Sequence, residues 1–350
     1  MLLCTLFVCS LVWAEEKPET VERPNEQQLA KGRVTVNEKY GAEARQATTP
    51  ERKTELAKKL LQESWGVKDA AERYMVVDSA RRLYIGAGDI RGMWNVIDRQ
   101  NSWFTGDKLN GWDLRFESVL AFFQANTMLE KREDLADFVF VEVRGSFASQ
   151  FTIDVADKGT LTLVTISEPL DADRKRMAKA LRLTYEQWRK DAAKYEAADE
   201  KLIEKENDRA ANLQMAKFHA TISESWLGAR IHLAKSGLTG LKAALAADER
   251  ADNSGGPNFD LNLTAATAWL DWAEKAKDVD PELVAGIKIR AKRQYRLAAE
   301  YGRGAKKTAA EDGIAKLVNV RDSFVWRENT IIKAEIDGKR APPPPPQPEL

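Results

Sequence analysis

The feature that most constrains this chain is a repeated pattern of apolar residues at helical spacing, in short blocks opened by a capping residue and closed by a turn signal. Thr49-Pro50-Glu51 starts one block, with threonine as N-cap, proline in the first helical position and an acid beside it. Leu56, Ala57, Leu60 and Leu61 then lie on one face. The next block carries Val76, Val77, Ala80, Leu83 and Tyr84, and Gly86-Ala87-Gly88-Asp89 supplies both its stop and the following start, before Ile90, Met93, Trp94 and Ile97. Far along the chain the theme returns. Leu263, Ala266, Trp269, Leu270, Ala273 and Ala276 share a face, and Asp280-Pro281-Glu282 opens a helix with Val284, Ile287, Ala291, Tyr295 and Ala298 inside. Blocks of this length joined by short turns predict an all-α fold of stacked αα-hairpins, a tetratricopeptide-like array without a strict repeat.

Phe138 to Ile166 resists the pattern. Its Val, Thr, Phe and Ile content, alternating from Thr160 to Ile166, favours a strand by local propensity. A lone hairpin would have no sheet to join, so helix is expected over 138–166, with a small β-prone stretch as the alternative. Ser323 to Ile336 is open to both readings.

The two ends read differently from the body. Residues 1–14, MLLCTLFVCSLVWA, form an uncharged apolar run ending in a small residue, and Glu15 follows at once. This predicts a signal peptide cleaved between Ala14 and Glu15, hence an exported protein, periplasmic, of the cell envelope or secreted. The run falls short of the roughly 20 residues a membrane-spanning helix needs, so no stable transmembrane segment is expected after processing. Cys4 and Cys9 both lie inside it, which leaves the processed chain without cysteine. Residues 15–35 read as a polar, disordered leader. At the other end, the polyproline run 341–350 makes 321–350 an extended tail, either a docking motif or a remnant linker. Between them the pattern divides into helical-hairpin modules at 36–135 and 213–320, with a long-helix middle region over 136–212.

Val36-Asn37-Glu38-Lys39-Tyr40, the run ATTPERKTELAKKLLQES over 47–64 and the run AAERYMVVDSARRLYIGAGDIRGMWNVID over 70–98 resemble the N-terminal helical module of large secreted proteins of planctomycete bacteria. Ala216-Lys217-Phe218-His219, Lys235-Ser236-Gly237-Leu238, the run from Ala268 to Lys275 and that from Arg290 to Tyr295 are similar to its second half. The resemblance covers roughly 36–317. It implies an exported, all-helical, tetratricopeptide-like body, and it carries over no catalytic residue.

Composition then narrows the chemistry. Lysine plus arginine and aspartate plus glutamate both number 54, so no net field draws the whole molecule to nucleic acid. His219 and His232 are thirteen positions apart with no cysteine nearby, which leaves no metal-ligand spacing. The glycines at 86, 88 and 92 miss the dinucleotide spacing, and the run from Gly302 to Thr308 misses that of a phosphate loop. No cofactor is expected. The one local asymmetry is a basic stretch from Lys288 to Lys307 containing a single acid, Glu300. Lys288, Lys292 and Arg296 recur every four residues and line one helical face, a candidate site for an anionic partner. The expectation is therefore a non-enzymatic helical scaffold binding a protein or an anionic envelope polymer; the alternative is an envelope-polymer hydrolase using paired carboxylates in a groove between helices.

Overall fold

The computed structural model describes residues 20–105, 111–148, 153–254, 258–276 and 280–336. They form two compact units that divide between Thr127 and Met128. Both are helical, and the fold is all-α. The one sheet among the described residues is a two-residue parallel pairing of β1 (Val21–Glu22) with β2 (Phe104–Thr105).

In the first unit, α1 (Glu26–Gln46) begins inside the stretch expected to be a disordered leader. Its start is a capping box: Gln28 N–H donates to the Asn25 side chain at 3.0 Å, and Asn25 N–H donates back to the Gln28 side chain at 2.9 Å. Leu29 and Val36 on its inner face are buried, which gives the polar segment enough apolar contact to fold. Then come α2 (Pro50–Glu63), capped by Thr49, a 3₁₀ turn over Ser64–Gly66, and α3 (Ala70–Ala87), capped by Asp69. Gly88 ends α3 at φ 71°, the left-handed C-cap that glycine adopts without steric cost. Asp89 caps α4 (Ile90–Trp103) by accepting from Gly92 N–H at 2.8 Å, and α5 (Gly111–Ala125) completes the unit. Leu60, Val76, Val77, Met93 and Ile97 form its interior. At Gly32 the backbones of α1 and α3 touch: a Cβ there would meet the Ala71 carbonyl oxygen at 2.6 Å.

The second unit runs through α6 (Leu129–Ala148), α7 (Ile153–Ser167), α8 (Ala172–Glu204) and α9 (Arg209–Lys217). A π-helical turn (Phe218–Ile222) leads to α10 (Trp226–Lys235), α11 (Lys242–Asp252), α12 (Phe259–Lys275), α13 (Pro281–Tyr301), α14 (Gly304–Lys316) and α15 (Phe324–Ile336). Consecutive helices pack on one another from α6 through α9 and from α11 through α14, so the unit is a series of helical hairpins. Its core is built around Trp226, Trp269, Leu233, Ile287 and Tyr295.

The β-prone stretch is helical wherever it is described. Val143, Leu163 and Ile166 are buried, and α7 lies against both α6 and α8. Thr160 and Thr165 turn their hydroxyls back to the carbonyls of Ala156 and Leu161, at 2.8 and 2.9 Å, so packing overrides local propensity. Of the extended tail expected over 321–350, the part from Phe324 to Ile336 is helical instead, as α15, because Phe324 and Ile331 are buried.

No helix among the described residues is long and apolar enough to cross a membrane. The proposed cleavage position, Ala14 and Glu15, and the polyproline run lie outside the described residues.

Candidate functional site

The three cations singled out from sequence do share one stretch of α13, but the protein engages all of them itself. Lys288 pairs with Glu274 of α12 at 2.9 Å. Lys292 is buried, donates to the Val320 carbonyl at 2.5 Å and lies 3.0 Å from Asp322. Arg296 donates to the other Asp322 oxygen at 2.8 Å and sits over the Trp326 ring. Burial pushes the Asp322 carboxyl up, but these two cations together hold it below its ordinary value. The stripe therefore anchors the segment entering α15 and presents no bare basic face to an anionic partner.

The neighbouring side of α13 carries a buried charge network that periodicity alone did not reveal. Asp248 on α11 is fully buried and accepts from Arg290 at 2.8 and 3.1 Å, from Arg230 at 2.7 Å and from Gln294 at 3.2 Å. Burial opposes its charge, and Arg290, Arg230 and Trp269 together outweigh burial, so its carboxyl titrates below the usual range. Arg290 also lies over the Trp226 ring and reaches Asp252. One carboxylate thus ties α10, α11 and α13 together.

Among the described residues, the one non-glycine position with positive φ lies between the π-helical turn and α10. Glu224 follows the π-helical turn at φ 49°, a left-handed conformation costly for a residue with a Cβ. Its carboxylate is buried and accepts from Arg321 and Ser323, each at 2.6 Å, and from the backbone N–H groups of Phe324 and Val325. An acid far away in sequence therefore caps α15, a use of the helix N-terminus that a local pattern cannot display.

His219 on the π-helical turn meets His232 of α10, with ring centroids 5.5 Å apart and planes 9° from parallel. Their Nδ1 atoms lie 3.1 Å from the Ser223 hydroxyl and 2.9 Å from the Asn212 side-chain oxygen. Imidazole lone pairs lie in the ring plane, so two stacked rings cannot direct them at one metal ion. Among the described residues no group of three or more histidine, cysteine or acidic side chains is placed to hold a metal.

The first unit holds a site of another kind. A groove of about 560 Å³ opens between α1 and α3, with Leu60 of α2 beneath it. Its floor is apolar: Val36, Leu60 and Met75 are buried there, and Leu83 is half-buried. Arg33 and Arg82 stand at its rim, both exposed. Arg82 spends one edge on Asp78, at 2.8 Å, and its side chain remains 65% exposed. Arg33 has no ion-pair or hydrogen-bond partner among the described residues. Polar bridges strap α1 to α2 beside the groove: Tyr40 donates to Glu63 at 2.6 Å, and Lys59 to Glu43 at 2.7 Å. Burial and the adjacent Glu63 push the Tyr40 hydroxyl up to about 12, so it stays protonated. No aspartate, glutamate, histidine or cysteine lines the groove.

The groove is hard to see in the sequence because the first part of α1 is polar and has the composition of a leader. The signal that finds it is the Asn25-x-x-Gln28 spacing of the capping box, followed by apolar Leu29 and Val36 seven residues apart.

Fold and site together define an all-α protein of helical hairpins bearing an apolar, arginine-rimmed groove. Comparison with family models, characterised proteins and solved structures finds no match.

Proposed function

We propose that the chain is an exported helical-repeat scaffold of a bacterial cell envelope, of the tetratricopeptide-like kind that the planctomycete resemblance implies, and that it binds a partner without transforming it. The observation that carries this reading is the groove of the first unit. Its apolar floor and polar rim suit recognition, and its lining contains none of the acids or histidines that general acid–base or metal-assisted chemistry uses. A hydrolase working through paired carboxylates is less well supported, since two of the most deeply buried acids of the second unit are occupied by arginines: Asp248 by Arg290 and Arg230, Glu224 by Arg321.

The test compares the full chain with Ala44→Trp, which fills the groove from an exposed position on α1. Retention on isolated cell-envelope fractions is expected for the parent and lost in the variant, with no soluble fragments released from the envelope polymer. Release of such fragments by the parent would overturn the reading in favour of a hydrolase. Equal retention of both proteins would remove the groove from it.

A further inference from the structure

We infer that the groove between α1 and α3 takes an amphipathic helix of a partner protein, with an acidic side chain on the helix flank meeting Arg33 and Arg82. The inference rests on the binding reading above and specifies its ligand.

Shape comes first. The lining contributed by α1 extends from Arg33 to Ala44, a rise of about 16 Å at 1.5 Å per residue. On the opposite wall Met75, Ser79, Arg82 and Leu83 follow one another at helical spacing. A trough of that length, walled by two helices, matches two to three turns of a third helix, whose apolar positions at i, i+4 and i+7 fall within it. Gly41 and Ala44 on one wall and Ser79 on the other are small, so the backbone of an incoming helix can come close. Val34, 58% exposed at the lip, supplies apolar surface that a partner would cover.

Charge then selects the flank. The lining holds two arginines and no acid. Arg33 has its whole guanidinium available, while Arg82 is fixed at one edge by Asp78 and open at the other. A planar guanidinium pairs best with a carboxylate, in two parallel hydrogen bonds. A glutamate on the helix flank meets that need, and a lysine there would be repelled. Tyr40, protonated and turned to Glu63, adds no charge of its own.

The experiment uses the full chain and a fluorescein-labelled, four-turn amphipathic peptide with leucines on one face and glutamates on one flank, beside its twin with lysines there. Laurate serves as a third probe. Binding is read by anisotropy, and the methyl NMR signal of Met75 on the groove floor reports occupancy. The glutamate peptide is expected to bind and to shift Met75, with affinity falling by about tenfold or more in Arg33→Glu and in Ala44→Trp. Both variants lie at exposed positions, and unchanged melting temperatures would show that they fold. The lysine peptide is expected to bind Arg33→Glu better than it binds the parent. Equal binding of the two peptides to the parent overturns the inference, as does indifference to both variants. If laurate alone moves Met75, the groove binds an amphiphile and the helix is wrong while the binding reading stands. If no probe moves it, both fall.

Discussion

His219 and His232, the chain's only histidines, stack on each other from the π-helical turn and α10, and Gly228 lies so close beneath that a Cβ there would meet the His219 ring at 2.9 Å. Neither ring can gain a proton without placing a charge against its neighbour. Burial first, and then the facing His232, push His219 down to about 4, with Asp199 acting weakly the other way. His232 is lowered as well, by burial and by Lys235.

The linkage has a definite sign. A histidine whose folded value lies below its unfolded value of 6.5 leaves the folded state with fewer bound protons, so stability is complete above pH 6.5 and declines as pH falls towards 4. The loss attributable to His219 is roughly 3 kcal/mol over that window. Urea unfolding at half-unit pH steps is expected to show the decline in the parent and a flatter profile in His219→Phe. An equal slope in both proteins would remove His219 as its cause. The carboxylates of Asp78, Asp248 and Glu224, all lowered, contribute their own loss further down in pH.

Arg293 sits among charges and pairs with none of them among the described residues: its Nε is buried without a hydrogen-bond partner. Burial and the like charge of Arg290 push its guanidinium down to about 10. An unpaired, desolvated cation costs stability, and an apolar side chain of similar length avoids the cost. Arg293→Met is expected to raise the unfolding free energy by about 1 kcal/mol, measured by urea denaturation. A loss of stability would show that the guanidinium does have a compensating partner.

Glu224 holds the start of α15 against the π-helical turn. Arg321 and Arg144 keep its carboxyl ionised despite complete burial. Glu224→Gln keeps the shape and removes the charge, leaving those two arginines without their carboxylate, at a cost of about 3 kcal/mol. Hydrogen exchange of the amides in α15 is expected to accelerate well beyond that of α12, since the hydrogen bonds to this carboxylate come from residues 321–325. Uniform acceleration across the second unit would mean instead that Glu224 supports the whole core.

How far sequence reached can be seen at particular residues. Thr49, Asp89 and Asp280 cap the helices their local patterns announce, because an N-cap needs only a side chain and the N–H groups two or three residues on. The apolar faces around Leu60 and Trp269 are buried for the same local reason, since helical spacing alone places them on one side. The all-α fold was therefore legible throughout, apart from the part of α1 that precedes residue 36 and from α15, where polar composition and mixed propensity outweighed weaker helix signals.

What sequence could not supply is which charged groups meet. Lys288, Lys292 and Arg296 have the spacing of a basic face, and that spacing is real. Whether the face is open depends on Glu274 and Asp322, which only the packing of α12 and of the segment before α15 brings to it. Arg33 shows the converse: nothing in its neighbourhood of sequence marks it, and it stays unpaired beside an apolar groove because α1 and α3, in backbone contact at Gly32, line the same trough. Helical period and capping act over a few residues and are written in the chain. Pairing and burial of charge act across tens to a hundred residues and are settled when the helices pack, since the energy of a charge depends on which partner and how much water surround it.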